Sequence, residues 1–206
     1  MTKTKRVTKQ DKKTGKNGMI NLQPFKLENV RKHYQWNNDR EITYYDSEYP
    51  HRFESFDSFL SRMKAIIENP KRNSELFEIV DLHDHKVIGV IDIYGIDYHN
   101  KRCFVSCTIG DKNKRGKGYG KKSLELILRY CFNDLKMHKV GATSFDFNET
   151  WIRVLKKAGF RKEGELRNHV MKENEYRNKS IFSILEKEYK TLHKRKKFVQ
   201  PLPVSQ

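Results

Sequence analysis

The chain has 206 residues, 36% of them hydrophobic and 33% charged, with a formal net charge of +17. That length suits one domain with a sizeable core. Cys103, Cys107 and Cys131 fit neither a metal-ligand spacing nor a disulfide framework, and no segment approaches the roughly 18 apolar residues of a membrane span.

Residues 1–18 carry Lys3, Lys5, Arg6, Lys9, Lys12, Lys13 and Lys16 against Asp11 alone. No apolar run follows, so this is not a secretory signal. It reads as a solvated or frayed basic tail, as does the lysine-rich end over residues 190–206. Such tails suit RNA, a ribosome or another acidic surface, or simply solubility. The expected location is the cytoplasm.

Between the tails, "MINLQPF" alternates Ile20 and Leu22 ahead of Pro24, a first strand. Leu27, Val30 and Tyr34 then fall at helical spacing. Residues 37–54 are polar, aromatic and irregular, and read as a loop. Ser55 opens a helix whose face is Phe56, Phe59, Leu60, Met63, Ile66 and Ile67, closed by Asn69-Pro70. "LFEIVDL" and "KVIGVIDIYG" form a hairpin about "HDH", and "CFVSCTIG" is a third strand. A helix follows with Leu124, Ile127, Leu128, Cys131, Phe132 and Leu135 on one face. "KVGATSFDF" is a strand and "ETWIRVLKKAGF" a short helix ending at Gly159. "FRKEGELRNHV" and "YRNKSIFSILEK" close the domain as a hairpin. The order is that of a mixed α/β domain spanning 19–189. The eight histidines lie without ligand spacing, which predicts surface positions and no metal.

Between the third strand and the long helix lies "GDKNKRGKGYGKK", with four glycines and six basic residues in thirteen positions. It is not a P-loop: the Gly116-Lys117 pair is followed by Gly118 rather than Ser or Thr. Nor is it a dinucleotide fingerprint, since Lys121 stands where the third glycine belongs. The physics still favours an anion. Glycines bring backbone close, and the first N–H groups of a helix lack internal partners.

R-x-x-G-x-G between a strand and an amphipathic helix resembles the acetyl-coenzyme A loop of the GNAT acyltransferases. "HKVGATSFDFNETWIRVLKKAGFRKEGELRNHV" extends the likeness to the branch of ribosomal-protein N-terminal and spermidine acetyltransferases, over about residues 19–189. The resemblance implies the GNAT fold, an α/β domain with a mixed, mostly antiparallel central sheet flanked by helices. It implies acetyl-CoA as co-substrate, with pyrophosphate on Arg115, Gly116, Lys117, Gly118, Tyr119, Gly120 and Lys121. The pantetheine arm would lie along Thr108 and Ile109, with Asn148 reaching the arm. Asn148 also stands where a helix N-cap belongs. The acceptor would be a primary amine: a protein N-terminus, a polyamine or an amino sugar. Tyr44, Tyr45, Asp46 and Glu48 form an acidic, aromatic acceptor stretch.

The usual catalytic groups are missing. Leu155 stands at the position of a common tyrosine, Trp151 at that of a serine, and Phe104 at that of a glutamate. No catalytic residue is assigned from the sequence. The alternative is a non-catalytic acyl-CoA-binding module that meets RNA or a ribosome through its tails. The sequence leaves monomer and dimer open.

Overall fold

The computed structural model describes residues 19–198, with side chains through residue 192. Residues 1–18 and 199–206, most of the two expected tails, lie outside the described residues.

Seven strands form one sheet in the order β1-β2-β3-β4-β5-β7-β6: β1 (Ile20–Pro24), β2 (Glu75–Asp81), β3 (Val87–Asp97), β4 (Arg102–Ile109), β5 (Lys139–Phe145), β6 (Arg161–Lys172) and β7 (Glu175–Leu185). All neighbours are antiparallel except β4 and β5. That parallel pair needs a crossover, which helix α4 (Tyr119–Asn133) supplies.

Strand alternation sorts the layers. On β2, Phe77 and Ile79 join the main core with Leu124, Ile127, Leu128, Cys131 and Phe132 of α4, the stripe expected from spacing. Glu78 turns to the other face and meets His33 of helix α1 (Val30–Asn37) at 2.9 Å. A second cluster on that face joins Val30 to Phe59 and Met63 of α3 (Phe56–Glu68). His33 is therefore a buried histidine, not a surface one. Helix α5 (Glu149–Ala158) starts at the Asn148 cap, where Oδ1 accepts from the Trp151 N–H at 3.1 Å. It ends at Gly159 with φ +97°, the left-handed turn expected there.

Two expectations need correcting. Residues 37–54 are not all loop: Arg40–Asp46 form helix α2, capped by the Asp39 carboxylate, which accepts from the Glu41 N–H at 2.9 Å. Residues 190–198 are not a frayed end. Helix α6 (Glu186–Phe198) runs through them, with Tyr189 buried and Leu192 packed on the core.

Trp36, at the end of α1, lies against Gly110. A Cβ there would come within 2.1 Å of the indole. This close approach fixes the end of α1, and with it α2, beside the glycine loop.

Candidate active site

β4 and β5 are paired only over Arg102–Phe104 and Lys139–Gly141. The Phe104 ring fills the apex of the fork: it stacks on Tyr94 at 5.6 Å and covers Gly141, where a Cβ would lie 2.6 Å from it. Beyond the apex the strands part, and the residues from Val105 to Ile109 have no strand partner on the β5 side. A cleft of about 1090 Å³ opens there, lined by β4, β5, the glycine loop, α2 and α5.

The glycine loop forms one wall. Gly116 and Gly118 have φ +72° and +86°, and a Cβ on either would meet only open space. The loop backbone therefore faces the cleft bare. Helix α4 begins with Gly118 as its cap residue and no side-chain cap, so its first N–H groups stay available to a ligand. The Tyr119 side chain points away: its hydroxyl donates to Asp81 at 2.7 Å.

Four of the six cations in this stretch are already paired, Lys122 with Glu125 at 3.4 Å. Lys112 meets Asp39 at 3.0 Å and Glu41 at 2.7 Å. Lys114 meets Asp81 at 2.6 Å. Arg115 donates to the Ile109 carbonyl at 2.9 Å and to Glu41 at 2.6 Å. Asp81 lies just under the surface but closed to water. Burial alone would raise its carboxyl, but hydrogen bonds from Lys114 and Tyr119 outweigh that and hold it at about 2.

Across the cleft lies the acidic, aromatic stretch 44–48. Tyr45, Asp46 and Glu48 line it; Tyr44 instead packs on Tyr45 and Phe147. Glu48 is tied to Lys179 of β7 and lies 3.7 Å from His169 of β6. Lys172 of β6 donates to the Ser47 carbonyl at 2.6 Å. The segment from α2 to Glu48 thus bridges the mouth, held to the loop at one end and to the β6–β7 hairpin at the other.

Asp46 differs from its neighbours. Its Oδ2 accepts from the Thr108 hydroxyl at 2.5 Å, and no cation pairs with it among the described residues. Its side chain is exposed to the open cleft, while protein atoms pack densely around its other sides. That desolvation pushes its carboxyl up to about 6, opposed by the Thr108 hydrogen bond and reinforced by the charge of Asp92. Asp92 of β3 accepts from Ser106 of β4, and burial pushes it up as well. Asp92 is a cleft residue that no motif in the sequence marks. The signal was there: on β3, Asp92 and Tyr94 alternate with buried Ile91 and Ile93, on the face that Ser106 and Phe104 share.

Asn148 lines the cleft where expected. Trp151 turns its indole N–H to the Thr143 carbonyl of β5 at 3.2 Å, beyond the fork. Leu155 is fully buried in the core and does not line the cleft. Cys107 lies on the cleft floor, but burial pushes its thiol up, so it is no thiolate nucleophile.

The family model described as "Acetyltransferase (GNAT) domain" matches residues 20–161. The chain belongs to the GNAT acetyltransferase family. Among curated relatives, the uncharacterized N-acetyltransferase YnaD of Bacillus subtilis is 26% identical over 168 residues, covering 82% of this chain and 94% of its own. Spermidine N(1)-acetyltransferase of Escherichia coli is 25% identical over 175 residues, covering 85% and 90%. Among solved structures, spermidine N-acetyltransferase from Vibrio cholerae, in complex with CoA and spermine, superposes with a TM-score of 0.76 at 24% identity, covering 84% of this chain and 99% of that one. A dodecameric structure of the same Vibrio enzyme gives 0.71. This GNAT chain is thus an acetyl-CoA-dependent N-acetyltransferase, and nothing in these likenesses favours a non-catalytic module. Among the described residues no helix is long and apolar enough to cross a membrane.

Proposed function

We propose that the acceptor is a small, multiply charged alkylamine of the polyamine class. The observation that carries this is the pair Asp46 and Asp92 in one cleft, with no cationic partner on either side chain among the described residues. Aromatic Tyr45, Tyr94 and Phe147 line the same space and suit an alkylammonium. A spermidine acetyltransferase among the relatives supports the same class.

On this reading the co-substrate lies along the other wall. The open edge of β4 at Thr108 and Ile109 would pair with amides of the pantetheine arm, as an added strand does. The bare backbone of Gly116, Gly118 and Gly120 and the first turn of α4 would hold the pyrophosphate. Lys117 and Lys121 supply charge, while Arg115 braces the loop from Ile109 and Glu41. Asn148, its oxygen engaged by the Trp151 N–H, keeps its amide nitrogen for the cofactor arm. Bound acetyl-CoA supplies an acyl group activated as a thioester. The chain's part is to bind the amine, take a proton from it and keep it against β4.

A thiol-release assay tests this with acetyl-CoA and a panel of spermidine, an amino sugar and a peptide with a free N-terminus. Turnover is expected with spermidine above the others. Turnover confined to the peptide or the sugar overturns the acceptor class. Calorimetry with acetyl-CoA tests the cofactor wall, and no binding at high micromolar concentration overturns it.

A further inference from the structure

The catalytic groups that the family resemblance would place at the reaction centre are absent: Phe104 and Leu155 stand at two of those positions, and neither side chain can take a proton. Phe104 plugs the fork apex, and Leu155 is fully buried. An alkylammonium with a pKa of about 10 is almost wholly charged at neutral pH and cannot attack a carbonyl. Some group on the acceptor wall must remove its proton.

We propose that Asp46 is the general base of the acyl transfer, its carboxylate taking the proton from the ammonium of the acceptor beside the open edge of β4. This rests on the reading of the acceptor as a cationic amine.

The geometry singles out Asp46. The carboxylates around it are bound to cations: Asp39 and Glu41 to Lys112, and Glu48 to Lys179. Asp46 alone of that stretch is not, and its one hydrogen bond comes from Thr108, a residue of the unpaired part of β4. Its Oδ1 has no protein partner among the described residues. Asp92, the other uncommitted acid, sits one strand further from the fork, on β3. The charged and titratable groups around Asp46 are Asp92 on β3, the neutral Cys107 thiol on β4, Arg115 in the loop, and Glu48 with its partner Lys179 of β7. Burial and Asp92 raise the Asp46 carboxyl while Thr108 and Arg115 lower it, and the balance places it at about 6. At pH 7 and above the group is mainly ionised, ready to accept a proton, and close enough to neutrality to release it again.

The atoms balance. The ammonium gives one proton to Asp46. A nitrogen–carbon bond forms to the acyl carbon and the carbon–sulfur bond breaks. The second nitrogen proton passes to the departing thiolate. Asp46 returns its proton to water, so each turnover yields an amide, a free thiol and one proton.

The test uses the full chain with acetyl-CoA and spermidine, following kcat against pH. The wild type is expected to lose activity through an acid limb near pH 6. Asp46→Asn is expected to lower kcat by about 10²-fold or more and to abolish the limb. It should also raise the melting temperature at pH 8. The folded-state carboxyl titrates above its usual value, so ionised Asp46 opposes folding above pH 6, and its removal is stabilising there. A merely structural residue would lower it. Two further variants move the limb in opposite directions: Asp92→Asn towards lower pH, because a repelling charge is gone, and Thr108→Val towards higher pH, because a stabilising hydrogen bond is gone. An active wild type with Asp46→Asn keeping its rate and limb overturns the assignment alone. So does a limb that neither Asp92→Asn nor Thr108→Val displaces. A wild type that turns over no amine overturns the acceptor reading, and this assignment with it.

Discussion

The two walls of the cleft invite opposite first impressions. The glycine loop is crowded with cations and the α2 segment with acids. In the fold most of these charges cancel each other: Lys112 and Arg115 pair with Glu41. Their partnership fixes α2 over the loop and leaves little for a ligand. What remains on the loop wall is bare backbone at Gly116 and Gly118, with Lys117 and Lys121. What remains on the acceptor wall is Asp46, backed by Asp92. The functional groups are those the internal pairing leaves over, and a count of charge in the sequence does not reveal them.

Substitutions that break this division should differ in size. The largest effect is expected at Asp81, which anchors the loop from beneath. Asp81→Ala leaves the Tyr119 hydroxyl without its acceptor and the Lys114 ammonium with Asp84 alone. A loss of about 3 kcal/mol in unfolding free energy is expected in denaturant titration. Asp81→Asn should also change the pH profile of stability. The Asp81 carboxyl titrates at about 2, below its ordinary 3.8, so its contribution is present above pH 4 and lost as pH falls towards 2. The wild type should weaken across that window, and the variant should weaken less. Equal acid sensitivity of the two would refute the anchor.

Next comes the loop itself. Gly118 sits at φ +86°, where an L-residue is strained by about 1–3 kcal/mol. Gly118→Val should weaken acetyl-CoA binding by about tenfold or more, read by calorimetry. A Cβ there meets no neighbour, so the loss would come from backbone conformation and not from a clash inside the protein. Unchanged affinity would remove the loop from the cofactor wall.

A smaller effect is expected at Leu155, the position at which the family resemblance implies a tyrosine. Because Leu155 is fully buried in the core, Leu155→Tyr should overpack it and cost about 1–3 kcal/mol. It should give no gain in kcat. A rise in turnover would mean that the ring reaches the cleft after all, and that the catalytic work is shared differently.

Much of this was legible in the sequence, and unevenly so. Helix α4 declared itself because its apolar stripe is long, and Asn148 and Gly159 because caps follow local rules. The loop was legible because glycine is favoured where φ is positive. Helix α2 was not: it is seven residues long with only Ile42 buried, too short for a periodic signal, and its one marker is the Asp39 cap. Helix α6 hid behind a lysine run; the apolar contacts described for it are those of Tyr189 and Leu192. Asp92 escaped because an acid alternating with buried isoleucines reads as a solvent-facing position. Here that face is the floor of a cleft, which only the parting of β4 from β5 creates.

The smallest effect is expected where the two walls touch. Glu41 joins them through Lys112 at 2.7 Å and Arg115 at 2.6 Å, but all three side chains are at least 30% exposed. Pairs of that kind contribute about 0–1 kcal/mol each and are screened by salt. Glu41→Gln should therefore barely move the melting temperature, and less still at high salt. Its effect on catalysis should be more specific. With Glu41 neutral, Arg115 keeps its bond to the Ile109 carbonyl and loses a counter-charge, so its positive field at Asp46 grows. Arg115 already lowers the Asp46 carboxyl. The acid limb of kcat should therefore drift to lower pH, by less than in Asp92→Asn. A limb moving the other way would mean that Arg115 swings out of the cleft when Glu41 is gone, and that the pair positions the guanidinium as well as screening it.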